Sequence, residues 1–232
     1  MIARPPPADV ELPGVVVGLA GGRPTRPLWR NELGGLTVAV VDDDEPVVVK
    51  WAPPVQRAEL EAEVGRLAWA APHTPVPRVV DHGLDDETGG AWMVTQLIEG
   101  TSAVDPRWLA DPERAVHAVG VGLRRLHDAL PVDGCPYRWT LDDRRSAAHR
   151  RTAAGRIDPV RWHRDLHHLT LDEALAVVDA LDEPTDDLVV CHGDACVPNT
   201  LVDEAGAWFA HVDLGRRGGG DRWAGLAVAT WS

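Results

Sequence analysis

One short stretch limits what this chain can become: Cys191-His192-Gly193-Asp194-Ala195-Cys196-Val197-Pro198-Asn199, followed by a second acidic loop at Asp213-Leu214-Gly215. The apolar run Leu188 to Cys191 leads into it as a strand. Thr200 to Val202 and Trp208 to Val212 read as further strands, joined by the turn Asp203-Glu204-Ala205-Gly206. Asp213 therefore follows Asp194 and Asn199 across a short hairpin. A carboxylate to orient a nucleophile, metal-binding oxygens and a cation for phosphates are the groups that phosphoryl transfer requires. His192, Asp194, Asn199 and Asp213 stand in a single register that chance rarely supplies.

A candidate for the cation stands out by composition. Of 23 basic residues every one is arginine except Lys50, at the end of the run Val47-Val48-Val49-Lys50. A compact ammonium is not replaceable by a guanidinium where a point charge must sit on phosphates. Alone, Lys50 reads as a solubilising strand end; beside Asp194, Asn199 and Asp213 it reads as functional. No phosphate-binding loop of the Gly-x-x-x-x-Gly-Lys type is present, because Val49 precedes this single lysine. His163-Arg164-Asp165-Leu166 imitates the catalytic stretch, but Thr170 stands where the metal-binding asparagine belongs. His163 and His167 have a zinc-helix spacing without its glutamate.

The pattern before residue 100 is β-rich. Val15-Val16-Val17, Leu36 to Val41 and Val47 to Lys50 read as strands, with an acidic turn at Asp42 to Pro46. Val79-Val80 and Ala91 to Ile98 follow as two more, around the turn Asp85 to Gly90. Gln56 to Ala71 has helical spacing of Leu60, Val64, Leu67 and Ala68. After Gly100 helices dominate: Pro112 to Leu130, with a stripe of Val116, Val119, Leu123, Leu126 and Leu130, and Leu171 to Leu181. A lobe boundary is expected near Glu99-Gly100, giving a unit over 1–98 and a second over 99–232.

A net charge of −13 argues against nucleic acid as a partner, since a phosphate backbone is gripped through clustered cations. It suits a cationic small molecule, or serves solubility alone. Three cysteines (Cys135, Cys191, Cys196) form neither a disulfide framework nor a zinc set, so reduced thiols in a cytoplasmic setting are expected. Met1 to Asp9 lacks the pattern of a signal peptide, and Val15 to Ala20 is too short to span a bilayer, so no membrane association is expected.

The chain resembles the aminoglycoside phosphotransferases, above all the 3′-type enzymes. The resemblance rests on Pro75-Val76-Pro77-Arg78-Val79, Leu126-His127, Leu130 to Pro136, the His192 to Asn199 loop, Asp213-Leu214-Gly215-Arg216 and Asp221-Arg222-Trp223. It implies an α+β, two-lobed protein-kinase-like fold, with an antiparallel β-sheet N-lobe and a mainly helical C-lobe. It also implies ATP and Mg2+ as cofactors. Asp194 would orient the acceptor hydroxyl, Asn199 and Asp213 would bind magnesium, and Lys50 would contact the α and β phosphates. Glu63 would hold that ammonium, with Glu59 and Glu61 as competitors. Gly34-Gly35 would cover the phosphates, the Gln96 carbonyl and Ile98 amide would meet the adenine, and Arg216, Asp158 and Asp165 would lie on the substrate side.

Three departures accompany the resemblance. Gly225 replaces the aspartate of the family's Asp-Arg-aromatic-x-Asp pattern, and its loss is expected to leave catalytic-loop backbone donors seeking another acceptor. Family members continue beyond the position of Ser232, so the C-lobe is expected to be incomplete. Arg156, Arg161 and Arg164 stand where the family offers acids to antibiotic ammonium groups, with Asp158, Asp165, Asp172 and Glu173 remaining. The expected function is ATP-dependent phosphorylation of a hydroxyl on a small cationic molecule, most simply an aminoglycoside 3′-hydroxyl. The alternatives are a silent nucleotide-binding fragment and a kinase for a sugar, choline-like or amino-acid substrate. Oligomeric state is not legible.

Overall fold

The computed structural model describes residues 6–7, 9–41, 45–182 and 187–232. Strands β1 (Thr25–Arg30), β2 (Leu36–Val40), β3 (Val47–Ala52), β4 (Val79–Asp85) and β5 (Gly90–Gln96) form an antiparallel sheet in the order β1-β2-β3-β5-β4. Side chains alternate across a strand, so β3 sends Val47, Val49 and Trp51 to one face and Lys50 and Ala52 to the other. Helix α1 (Gly14–Ala20) covers the first face, packing Val16 and Ala20 with Leu36, Val38, Val40, Val49 and Val94. Helix α2 (Arg57–Ala70) covers the second, burying Leu60, Leu67 and Ala70 with Ala52, Ala91 and Met93. Leu126, Leu130, Val190 and Leu214 join that cluster, so one core runs from beneath the sheet into the helical half.

The helical half holds α3 (Pro106–Leu109), α4 (Pro112–Ala129), α5 (Leu141–Ala153), α6 (Leu171–Asp179) and α7 (Arg222–Trp231). Its strands are short. β7 (Leu188–Cys191) pairs with β10 (Gly218–Asp221), while β6 (Thr101–Ser102), β8 (Thr200–Val202) and β9 (Trp208–His211) form a second small sheet in the order β6-β8-β9. Helix α4 buries Ala115, Ala118, Val119, Leu123 and Leu126; Val116, expected on that stripe, faces solvent. Among the described residues no helix is long and apolar enough to cross a membrane.

Several elements differ from the sequence reading. Val15-Val16-Val17 is helical, not a strand: burying Val16 and Ala20 against one sheet face needs helical spacing. Gly21 closes α1 at φ 59°, its N–H donating to the carbonyls of Val17 and Gly18. Valine's preference for strands is a packing preference, and here the packing partner selects a helix. Strand β1 was hidden by Pro27, which an edge strand tolerates; the pairing with β2 shifts register between Pro27 and Trp29. Helix α5 has almost no apolar periodicity. A capping box between Thr140 and Asp143 starts it, and Arg145 Nε donates to the Val178 carbonyl of α6 at 3.1 Å. Strand β10 is mostly glycine because the neighbouring backbone leaves no room: a Cβ on Gly218 would lie 2.5 Å from the Arg138 carbonyl carbon. The turn expected at Asp42 to Pro46 has Asp42, Asp43 and Asp44 outside the described residues.

Two glycines in α4 make opposite predictions. A Cβ at Gly120 meets nothing within 4 Å, whereas one at Gly122 would lie 2.3 Å from Trp208. Gly120→Ala should stabilise the protein by about 0.5–1 kcal/mol through helix propensity. Gly122→Ala should destabilise it by about 1–3 kcal/mol through overpacking. Urea unfolding of both variants checks the pair, and equal effects of one sign would contradict this account of α4.

Candidate active site

Glu63 lies between Leu60 and Leu67 on the buried stripe of α2 and is 5% exposed. A carboxylate at a core position has to be paired. Lys50 Nζ, on the facing side of β3, donates to Glu63 Oε2 at 2.7 Å and to Asp213 Oδ1 at 2.6 Å. One ammonium thus joins the sheet, α2 and the Asp213 loop. Of the competing acids, Glu61 pairs with Arg57 at 3.1 Å, and both Glu59 and Glu61 are exposed.

The Asp194 loop is pressed against the Asp213 loop. Gly193 has φ 83°, and a Cβ there would fall 2.1 Å from the Arg216 carbonyl oxygen, so only glycine permits the approach. Asn199 Nδ2 donates to the Asp194 carbonyl at 2.9 Å, and Val212 N–H donates to the Asn199 carbonyl at 3.0 Å. His192 is fully buried; its Nδ1 accepts from the Asp194 N–H at 3.4 Å, which braces the loop. Asp213 is the only described non-glycine residue with positive φ, at 62°. Aspartate tolerates that conformation better than most side chains, and strained residues of this kind gather at functional sites.

Electrostatics follow from this crowding. Burial draws the Lys50 ammonium down, but Glu63 and Asp213 outweigh it and hold the pKa above its ordinary value. Lys50 keeps Asp213 below the usual carboxylate range. Burial raises Glu63, and burial together with the Asp213 charge raises Asp194. The Cys196 thiol hydrogen-bonds with Asp194; burial and that carboxylate push it up to about 12, so it remains protonated. No sequence pattern marks Cys196 as a partner of Asp194; the pairing exists only in the folded loop. Arg216 is exposed and lowers both Asp194 and Asp213 by its charge.

At the sheet end, Asn31 Oδ1 accepts from the N–H groups of Leu33 (3.0 Å) and Gly35 (2.8 Å), tightening the loop that carries Gly34 and Gly35. Glu32 of this loop pairs with Arg161, Nη1 to Oε2 at 2.6 Å. At the connection after β5, Gln96 N–H donates to the Arg78 carbonyl at 2.9 Å. Among the described residues the Ile98 N–H has no protein acceptor. Asp158 and Asp165 are engaged locally: Asp158 Oδ1 accepts from the Val160 N–H at 3.1 Å, and Asp165 lies against His163 and Arg164. Neither bonds to the Lys50 cluster among the described residues. At Gly225 the group nearest to a Cβ is His127 Nε2, 4.0 Å away on α4.

With this geometry in hand, comparison defines the class. Residues 30–232 match the Phosphotransferase enzyme family, and the chain belongs to that family. The aminoglycoside 3′-phosphotransferase of Streptomyces fradiae is 37% identical over 180 residues, covering 77% of this chain and 66% of that protein. The streptomycin 3″-kinase of Streptomyces griseus is 37% identical over 186 residues, covering 77% and 67%. The chain thus spans about two thirds of the length of these curated relatives. Among solved structures, the aminoglycoside-3′-phosphotransferase of type VIII superposes with a TM-score of 0.78 at 30% identity, covering 93% of this chain and 81% of that one. The aminoglycoside phosphotransferase APH(3″)-Id from Streptomyces rimosus, in complex with ADP and streptomycin, superposes with a TM-score of 0.74 at 28% identity, covering 95% and 86%. The α+β kinase-like architecture expected from the sequence is the architecture found.

Two imidazoles, His192 and His211, are buried by the site, and a third, His127, is half-buried on α4. Burial lowers His192 to about 3 and both His127 and His211 to about 4, against an ordinary 6.5. The unfolded chain therefore takes up protons first as pH falls below about 6.5. Stability from these groups is complete above that pH and is lost towards pH 4. At pH 5 the loss is about 2 kcal/mol for each of the buried His192 and His211, and less for the half-buried His127. Urea midpoints measured from pH 7.5 to 4.5 should fall steadily below pH 6.5, and a flat profile would contradict the neutral buried state.

Proposed function

We propose that this protein transfers the γ-phosphate of ATP to a hydroxyl of a small cationic acceptor, most simply an aminoglycoside. The observation that carries the reading is the single ammonium of Lys50 held between Glu63 and Asp213, with the Asp194 loop locked against the Asp213 loop. Residues 1–98 would hold the nucleotide, with the adenine at the Gln96 carbonyl and Ile98 N–H and the phosphates beneath Gly34 and Gly35. Residues 99–232 would supply the acceptor side.

The donor set fits magnesium. Asp213 and Asn199 offer hard oxygens, and among the described residues no cluster of three or more His, Cys, Asp or Glu could hold a metal unaided. That combination suits an ion bound by one or two side chains and by substrate phosphates. Carboxylates also outnumber the single ammonium here, so Asp213 and Asp194 repel one another. When bound, magnesium would neutralise charge on the phosphates. Lys50 then orients the phosphates, Asp194 orients the acceptor hydroxyl and accepts its proton, and Cys196 holds the Asp194 carboxylate in place. Arg216, beside both carboxylates, is placed for the transferring phosphate.

The aminoglycoside reading draws on what the similar proteins are named for: 3′-phosphotransferases of aminoglycosides and a 3″-kinase of streptomycin. Incubation with ATP, Mg2+ and either kanamycin or streptomycin should give a product heavier by one phosphoryl group. Absence of product at high protein concentration across both acceptors would overturn it. Asp194→Asn should lower kcat by about 10²–10⁴ while nucleotide still raises the melting temperature. A variant that keeps full turnover would remove Asp194 from the mechanism.

A further inference from the structure

Arg217 heads the fully buried side chains of the described residues, and it forms no ion pair there. Burial lowers its pKa to about 10, which leaves the guanidinium charged at neutral pH. A charge buried without a counter-charge is costly, and an apolar side chain would fill the same space more cheaply. What the arginine does is specific. Its Nη2 donates to the carbonyl of Arg66 on α2, and Arg66 Nε donates back to the carbonyl of Arg217 at 3.0 Å. The Arg217 guanidinium lies 5.0 Å over the Trp69 ring and that of Arg66 lies 4.9 Å over Tyr137. The two rings meet edge to face at 6.3 Å. Aromatic faces thus offset part of the desolvation that no carboxylate relieves.

Arg66 follows Glu63 by one helical turn, and Arg217 follows Asp213 by four residues. The geometry points to Arg66 and Arg217 as positioning residues: a reciprocal side-chain-to-backbone clamp that fixes α2 against the Asp213 loop, and so keeps Glu63 in reach of Lys50. The inference rests on the phosphotransfer reading for its purpose. In that reaction Lys50 has to give up Asp213 to engage phosphates, so the Lys50 bridge cannot itself hold the two segments together. The clamp uses only main-chain acceptors and two aromatic faces, and nothing in it is exchanged when nucleotide enters.

The single lysine allows a test that needs no activity. The full chain labelled with 13Cε-lysine gives one lysine cross-peak, that of Lys50. Arg217→Met and Arg66→Lys, which keeps the charge that also acts on Glu63 but removes the Nε donor, should each move that peak at least half of the way to its position in Glu63→Gln. Arg66→Lys adds a second peak, which its combination with Lys50→Arg identifies. Added to Glu63→Gln, neither should move it further. A peak that stays in place while the melting temperature falls would overturn the proposal and leave Arg217 a packing residue; so would full additivity with Glu63→Gln. If Arg217→Met does not fold, the charge-conserving Arg66→Lys, at a partly exposed position, carries the same readout. Failure to phosphorylate any acceptor, with the peak behaving as expected, would remove the phosphotransfer reading and keep the clamp.

Discussion

The structure is organised around one ammonium between two carboxylates. Lys50 comes from the middle strand of a five-stranded sheet, Glu63 from the helix covering that sheet, and Asp213 from a loop in the other half of the chain. Each constraint on the fold near this point can be traced to that meeting. Strand alternation turns Lys50 towards α2, the apolar stripe of α2 is interrupted so that a glutamate can face inward, and Asp213 adopts a left-handed backbone that aims its side chain back at the sheet. The apolar cluster beneath, with Leu60, Leu67, Val190 and Leu214, is the support on which the polar triad rests. Truncating one partner would leave a buried charge uncompensated, which costs more than the pair contributes.

What could be read from sequence follows the range of the interactions. Asp194, Asn199 and Asp213 were legible because their spacing is fixed by a loop and a hairpin within some twenty residues. Lys50 was legible by contrast with 22 arginines, and Glu63 through the family resemblance, with Glu59 and Glu61 left as competitors until the fold placed Glu63 on the buried face of α2. Helix α1, the proline-containing strand β1, the polar helix α5 and the glycine strand β10 were not legible, because each is selected by a partner remote in sequence. The same holds for Cys196, whose bond to Asp194 exists only once the loop has closed, and for the Arg66–Arg217 pair, 151 residues apart. Asp158 and Asp165, read from sequence as acids on the acceptor side, also make turn contacts of their own, Asp158 with the Val160 N–H and Asp165 with His163.

The underside of the Asp194 loop is polar in an unusual way. His192 and His211 stack edge to face at 5.1 Å with no exposure worth the name; His192 Nε2 has no described protein partner, and His211 lies against the backbone of Gly122 and Asn199. For a charged imidazole at His192 the cost of burial outweighs the attraction of the Asp213 carboxylate. Neutrality is therefore imposed by the surroundings, and the loop is supported by rings whose shape matters more than their charge. His127 repeats the arrangement on α4, next to the space that Gly225 leaves open.

Charge on the molecule is divided by role. The chain carries −13 overall, yet the mouth of the site is not uniformly acidic: Arg151 lies in electrostatic range of Arg156, Arg216 and Asp194, and Arg216 in range of Asp194. A uniformly acidic cleft would repel a nucleotide as strongly as it attracted a cationic acceptor. An acidic exterior with arginines gathered near the reacting carboxylate lets the far field draw the acceptor while the near field accepts phosphate. Under the proposed reading this separation explains why arginine replaces acid at Arg156, Arg161 and Arg164. Arg161 is committed to Glu32 of the glycine loop, so at least one of these cations ties the acceptor side to the nucleotide side instead of opposing the acceptor.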